Sequence, residues 1–416
     1  MSAFKRVLLV AYHFPPLAGS SGIQRTLRFA QQLPALGWQP LVLTAHPRAY
    51  ERTSQDLSDD VPAGTVVCRA QAWDTARHLA IRGRYVGAMA RPDRWVSWRF
   101  DAVRQGMQLI RQHQPQAIWS TYPIATAHLI GAELQRRSGL PWVADFRDPM
   151  AQDGYPADPA TWQQYQQIEQ HSLMAATACT FTTPGAAAEY QRRYPQAAAR
   201  VQVLENGYDE PSFQKAEAQT PQTAPLNEGV VTLLHSGIVY PSERDPTALM
   251  DALQALQASG RVAPGRLRIR FRAAVHDDLL QRLAAERGVG AWIETLPPVP
   301  YAQALQEMRC ADGLLVLQSA NCNQQIPAKV YEYLRAGPPV LGLTDPAGDT
   351  AGVLRWAGVP YLAPIDQPEP IAALMVHFLS DAAAGRVARP EAQAVVGASR
   401  WGRTQELAAL LGRVCA

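Results

Sequence analysis

Twice along its length this chain alternates between apolar runs too short to be helices and longer segments with a period near 3.6. The run "RVLLVA" at residues 6–11 is broken by Pro15, Pro16 and Gly19. "GIQRTLRFAQQL" follows, with Ile23, Leu27 and Ala30 at helical spacing. Gly37 stops that helix, and "PLVLTA" is the next short run. Strands that alternate with helices form a parallel sheet covered on both faces. The pattern resumes with "QAIWS", the helix "IATAHLIGAELQRRSG", "PWVADF", the helix "TWQQYQQIEQHSLMAATA", "CTFTTP" and "RVQVLENG". A second series begins at "VVTLLHSG" and runs through "DPTALMDALQALQASG", "RLRIRFRA", "DDLLQRLAAERG", "AWIETLPPV" and "YAQALQEMRCA" to "GLLVLQ". Between the series, "EPSFQKAEAQTPQTAPLNEG" is polar and proline-bearing with no clear period, and reads as a linker.

The pattern therefore predicts an α/β protein with two doubly wound, Rossmann-like domains. Residues 1–210 form the first, 211–229 the linker and 230–395 the second. A final helix, "SRWGRTQELAALLGRV", falls within residues 396–416. A length of 416 residues suits two cores better than one.

Composition narrows the function classes. Hydrophobic residues make up 47% and charged residues 18%, as in a packed globular protein. A net charge of +3 gives no reason to expect a nucleic-acid partner. Cys68, Cys179, Cys310, Cys322 and Cys415 are scattered and form no C-x-x-C pair, which points to a reducing compartment and no zinc site. The apolar run near the N-terminus is too short for a signal-peptide core or a membrane span, so a cytoplasmic location is expected.

One segment carries chemistry in a compact form. In "QQIPAKVYEYLRAGPPVLGL", Pro327 fits the start of a helix, "AKVYEYLRA" holds good helix formers, and Gly337 with two prolines ends it. That helix starts at the carboxyl end of the strand "GLLVLQ", the edge where open α/β sheets bind ligands. Free N–H groups at a helix start favour an anion, and Lys329 in the first turn adds a full positive charge. Glu332, three residues on, shares a face with it. A cation at a helix start suits a diphosphate, and a carboxylate one turn deeper suits the two hydroxyls of a diol. A diphosphate beside a ribose describes a nucleotide sugar. The competing reading is a Lys–Glu surface pair worth ~0.2–0.5 kcal/mol. In "LLHSGIVYPSERDPTALMDAL" the arrangement recurs. A strand runs into a loop holding Gly237, and Asp245 and Pro246 suit a helix start. Arg244, just ahead of that start, offers the planar fork that suits phosphate oxygens; a solvent-facing arginine is the alternative.

In the first domain, "ADFRDPM" places Asp145, Arg147 and Asp148 at a strand's carboxyl end, either as part of an acceptor site or as a capping and salt-bridge cluster. His128, on an apolar helix, and His13, after the first strand, are further candidates; packing is the alternative for each. Residues 77–104 hold seven arginines against Asp93 and Asp101, interleaved with Trp95, Trp98 and Phe100. Such a surface suits anionic lipid headgroups, while a solvated helix pair with its tryptophans in the core is the other reading.

Taken together, "HFPPLAGSSGIQRTLRFAQQLPALG", "PWVADFRDP", "VLENGYD", "HSGIVYPSERDP" and "IPAKVYEYLRAGPPVL" resemble the family-4 glycosyltransferases of GT-B fold, most closely members that build bacterial exopolysaccharide or other surface glycans. The resemblance implies two Rossmann-like domains facing a central cleft, an acceptor domain first, a nucleotide-sugar domain second, and a last helix crossing back to the first. By position, Glu332 would hold the ribose, Lys329 and Arg244 the diphosphate, and the "LPPVPY" turn near Val299 the base. The loop from Gly19 to Gly22 would close over the phosphates and sugar. Many relatives carry two glutamates seven residues apart; here the first position is Gln324, which keeps an acceptor, adds a donor and loses the charge. The resemblance implies retention at the anomeric carbon without a protein nucleophile. No D-x-D motif is found, so no metal or other cofactor is expected, and the substrates would be a nucleotide sugar and a glycan or lipid-linked acceptor. Arg244, Lys329, Gln324 and His128 are the candidate catalytic residues. A non-catalytic nucleotide-binding partner of another transferase and a nucleotide-sugar epimerase remain the alternatives. A nicotinamide enzyme does not fit, because the loop after the first strand lacks G-x-G-x-x-G.

Overall fold

The computed structural model describes residues 5–20, 22–55, 57–220, 224–263 and 265–416. The short apolar runs become strands because their residues are buried on both faces; β1 (Lys5–Val10), for example, is fully inside from Val7 to Val10. The chain divides into two units, Met1–Glu205 with Arg400–Ala416, and Asn206–Ser399.

In the first unit β1 is joined by β2 (Trp38–Ala45), β3 (Val66–Ala70), β4 (Ala117–Thr121), β5 (Trp142–Arg147), β6 (Ala178–Phe181) and β7 (Val201–Val203). All pairs are parallel, in the order β3-β2-β1-β4-β5-β6-β7. The second unit repeats the plan with β8 (Val231–Ser236), β9 (Leu267–Arg272), β10 (Ile293–Leu296), β11 (Gly313–Gln318), β12 (Val340–Thr344) and β13 (Leu362–Ala363). Its order is β10-β9-β8-β11-β12-β13, again parallel throughout. Each sheet therefore reverses its winding once, between β1 and β4 and between β8 and β11. The chain is a two-domain α/β protein of Rossmann-like architecture.

The helix Arg400–Val414 belongs to the first unit. It buries Leu407, Leu410 and Leu411 in one cluster with Leu27, Phe29, Leu33, Val42 and Leu204. Arg403 of this helix pairs with Glu205 at 2.6 Å.

The stretch read as a linker, 211–229, is not one from its start. It opens inside the helix Glu210–Gln219, which belongs to the second unit. The Asp209 side chain caps that helix, and Phe213 and Ala216 are buried. Arg335 grips it from the neighbouring helix through Glu210, at 2.6 Å, and Glu217, at 3.0 Å. Two buried positions in ten residues left no visible period, which is why the segment looked irregular.

Candidate functional site

In the second unit the reversal between β8 and β11 sends the loops after these strands in opposite directions, which opens a crevice at their carboxyl ends. The two loops are tied together. Ser319 N donates to Glu243 O at 2.7 Å and Asn321 Nδ2 to Ser242 O at 2.9 Å. Buried Gln318, the last residue of β11, donates to Cys322 O at 2.7 Å and Gln325 O at 2.9 Å. These bonds fix the loop that carries exposed Gln324.

The helix Ala328–Ala336 begins after Pro327 and has no side-chain cap; in its first turn Val330 N donates to Pro327 O at 2.9 Å, and the positive end of the helix dipole lies at this start. Lys329 lies in that turn. Its ammonium rests against Gly237, where a Cβ would come within 3.1 Å of Nζ. Gly237 has φ +108, a backbone state that a side chain would oppose in any case. The Lys329 Nζ donates to His235 Nε2 at 3.0 Å. Arg244 comes off the same loop, donates to Ile238 O and lies 5.1 Å from the centre of the Tyr240 ring. Burial and then the Arg244 charge push the Lys329 pKa well below the usual lysine value, and Glu332 acts in the opposite sense. Lys329 therefore senses both charges. Glu332, one turn on, accepts from Tyr301 Oη at 2.7 Å.

Several other arginines of this unit are neutralised, although half-buried Arg268 forms no ion pair among the described residues. Arg270, Arg272, Arg287 and Arg335 each form ion pairs with carboxylates. Among the described residues, neither Arg244 nor Lys329 does; their partners are a carbonyl and an imidazole. Two cations with no carboxylate in ion-pair contact, beside a helix start without a side-chain cap, are an arrangement suited to an anion.

The structure thus brings Gly237, Arg244, Lys329 and Glu332 to one sheet edge, with Gln324 in the adjoining loop. Asp245 is not the cap residue expected: Pro246 stands at the cap and not inside the helix, and Asp245, one residue before it, accepts from Thr247 N at 2.9 Å. Val299 lies between β10 and the helix Tyr301–Cys310; it is Tyr301, two residues on, that reaches Glu332. His235, Tyr301 and Tyr333, whose hydroxyl accepts from Ser236 N at 2.8 Å, were not singled out from the sequence. The signal for His235 was present, as a lone polar ring at the end of the apolar run "VVTLLHSG".

In the first unit the corresponding reversal lies between β1 and β4. The loop after β1 carries His13 and Gly19, the latter at φ +80. The helix Gly22–Gln32 starts where a Cβ on Gly22 would come within 2.5 Å of His13 Nδ1 and 2.9 Å of Arg147 Nη1. Ser20 Oγ lies 3.2 Å from His13 Nδ1. Burial and the Arg147 charge push the His13 pKa down to about 4, so its ring is neutral. Arg147 ends β5 at φ +61, where the pairing with β6 shifts register. Its Nη1 reaches Tyr122 O at 3.4 Å, and its buried Nε has no partner among the described residues. Asp148 beside it is exposed.

Two candidates do not belong with these. Asp145 is fully buried and accepts from Arg25 Nε at 2.9 Å, Arg25 Nη2 at 2.8 Å, and the hydroxyls of Thr121 and Thr180 at 2.7 Å each. Burial opposes its ionisation, but Arg25 and the two threonines outweigh that and hold its pKa below the usual carboxylate value. All its acceptor capacity is used, so it is a tie between the first helix and the sheet and not an acceptor-binding residue. His128 is also fully buried, with Nδ1 2.8 Å from Ser120 Oγ and its ring 4.8 Å from that of Phe146. It packs in the core and is removed from the catalytic candidates. Arg25, which also bonds Leu204 O at 2.9 Å, is the charged residue that the sequence reading missed here.

The basic segment divides as well. Trp98 is fully buried and Trp95 donates to Ala49 O at 3.2 Å, so the tryptophans serve the core. Residues 81–89 are all exposed, with Ile81 80% and Val86 65% accessible, and Phe100 78%. Arg94 is occupied by Asp74 and Glu51, and Arg104 by Asp101.

Comparison with known proteins agrees with this architecture. Residues 21–207 match the family model described as a glycosyl transferase 4-like domain. The chain as a whole shares the GT-B fold of solved glycosyltransferases. It is similar in structure to HepE of Anabaena in complex with UDP, at a TM-score of 0.63 and 14% identity, covering 98% of this chain and 100% of that one. Sucrose-phosphate synthase of Thermosynechococcus elongatus aligns at a TM-score of 0.58 and 14% identity, over 98% of each chain. The lipopolysaccharide outer core galactosyltransferase WaaB aligns at 0.58 and 10% identity, over 97% of this chain and 99% of that one. No curated protein sequence matches the chain. Among its described residues no helix is long and apolar enough to cross a membrane.

Proposed function

We propose that the second unit binds a nucleotide-sugar donor, with Arg244, Lys329 and the start of the helix Ala328–Ala336 on the diphosphate and Glu332 on the ribose. The observation that carries this reading is the pair of cations at the β8/β11 reversal that no carboxylate contacts as an ion pair, one turn from Glu332. HepE, which shares the fold, has been solved with UDP and with UDP-glucose. Gln324, Gly237 and Val299 border the same site in this reading. In the first unit His13, Gly19, Gly22, Arg147 and Asp148 are assigned to the sugar and acceptor side, and domain roles follow accordingly.

The reaction proposed is glycosyl transfer with retention. The acceptor oxygen bonds to the anomeric carbon on the face that the diphosphate leaves, the bond from that carbon to the phosphate oxygen breaks, and the acceptor proton passes to the leaving phosphate. The protein's task is to place positive charge where the leaving group gains negative charge. Arg244 and Lys329 supply that charge, so turnover persists in excess EDTA. The substrate class proposed is a glycan or lipid-linked acceptor of bacterial polysaccharide synthesis, used on the cytoplasmic side.

Thermal shift against uridine, guanosine and adenosine diphosphates and their sugars tests the donor reading. One base series raises the melting temperature, and Glu332→Ala weakens that donor roughly ten- to a hundredfold, since a hydrogen bond to a charged group is worth ~1.5–3 kcal/mol. Unchanged affinity in Glu332→Ala rejects the assignment. Tight nucleotide binding without turnover on any acceptor would instead make the protein a partner of another transferase.

A lipid-linked acceptor gives the exposed segment 81–89 a place. It combines accessible Ile81 and Val86 with Arg82 and Arg84, a mixture suited to anionic headgroups. Co-sedimentation with anionic vesicles, abolished in an Ile81→Glu, Val86→Glu variant, is the expected result; no lipid-dependent pelleting of the parent protein ends the membrane proposal.

A further inference from the structure

We infer that His235 is the positioning residue that aims Lys329 at the diphosphate. The inference rests on the donor site proposed above and adds to it a residue at the end of the central strand β8. His235 is fully buried, and both its ring nitrogens are engaged. Nδ1 is 2.9 Å from Leu315 O on the neighbouring strand β11. A carbonyl only accepts, so Nδ1 carries the proton. Nε2 of the neutral ring is then a bare acceptor, and the Lys329 ammonium donates to it at 3.0 Å. Burial first, and Lys329 next, hold the ring in that neutral state.

The geometry explains why this matters. A lysine head is a point charge on a flexible stem and has no preferred direction of its own. Here one of its three N–H bonds is committed to Nε2, and Gly237 closes the space beside it. The remaining donors are held for whatever enters above the helix start. The imidazole is itself locked by Leu315, and Tyr333 bonds the next backbone amide, Ser236 N, at 2.8 Å. The bare nitrogen thus transmits the rigidity of the β8–β11 pair to the ammonium. An acidic partner in its place would cancel the charge that the diphosphate needs; a neutral acceptor orients Lys329 without cancelling it.

Two substitutions separate the roles of the two nitrogens. His235→Asn keeps a donor near Leu315 O but has no acceptor within reach of Lys329. His235→Gln puts an amide oxygen close to the place of Nε2. With the nucleoside diphosphate found by the screen, His235→Asn loses about tenfold in affinity, the size of one charge-assisted hydrogen bond, while the nucleoside monophosphate is affected less than about threefold. His235→Gln recovers most of the loss. In a double-mutant cycle, His235→Asn adds nothing once Lys329→Met is present. Equal losses for monophosphate and diphosphate, or losses that multiply with Lys329→Met, overturn the inference. Nitrogen-15 NMR of the parent protein checks the contact independently of nucleotide. The Nδ1–H tautomer is expected, with an Nε2 signal that moves in Lys329→Met; an Nε2–H tautomer or an unmoved signal overturns it. Failure of the parent protein to bind any nucleoside diphosphate refutes the donor site, and the NMR result still decides whether His235 holds Lys329.

Discussion

Replacing Gly237 with alanine tests the donor site without removing any of its charges. Two effects follow from the geometry. The residue sits at φ +108, and holding an L side chain in a sparsely populated backbone region costs on the order of 1–3 kcal/mol. The new Cβ also lands 3.1 Å from Lys329 Nζ and 3.5 Å from Cε, so the ammonium must retreat from its place between Gly237 and His235. The first effect lowers stability; the second lowers affinity for a diphosphate. They separate because Gly337, in the same unit, has φ +100 with open space around its Cβ position. Gly337→Ala therefore carries similar strain and leaves Lys329 untouched. Urea denaturation should show comparable losses for the two variants, while titration with the nucleoside diphosphate should show roughly a tenfold weaker Kd for Gly237→Ala only. Equal affinities in the two variants, or wild-type affinity in Gly237→Ala, would refute the placement of Lys329 on the phosphates.

Asp145→Ala strips a buried guanidinium of its partner and should destabilise the first unit by about 3–5 kcal/mol in chemical denaturation. A stable variant that binds donor but has lost transfer would return Asp145 to the acceptor side. His128 gives a pH test. Burial lowers its pKa from 6.5 to about 4 in the folded protein, so between these values the unfolded chain takes up a proton that the native one refuses. Stability is then complete above pH 6.5 and falls as pH drops towards 4, by up to about 3 kcal/mol from this residue. His128→Gln should flatten the slope measured by denaturation at pH 7, 5.5 and 4.5, and an unaltered slope would assign the acid sensitivity elsewhere.

What the sequence revealed follows physical lines. The helix Ala328–Ala336 was readable to the residue because Pro327 fixes one end and Gly337 with Pro338 the other. The strand Val66–Ala70 was missed. It lies at the sheet edge, pairs with β2 alone, and most of its residues are only half-buried, so no apolar run marks it. The helix Glu210–Gln219 hid behind its polar surface, although Asp209 and Pro211 are ordinary start signals. Site chemistry was legible where it depends on local spacing, as for Lys329 and Glu332. It was illegible where depth decides. Asp145 and Arg147 stand two residues apart, yet one is sealed by Arg25 and the other sits at the rim beside Gly22. His235 and His128 are both buried histidines, and only the fold shows that one of them touches a cation at the crevice.

The placement of the helix Arg400–Val414 bears on how the protein is made. Synthesis is vectorial, and the whole second unit emerges from the ribosome before this helix does. Until then the surface formed by Leu27, Phe29, Leu33 and Leu204 lacks the cover of Leu407, Leu410 and Leu411. The half translated first is therefore the last to be finished, and a nascent chain stalled before residue 400 would expose a greasy face that chaperones recognise.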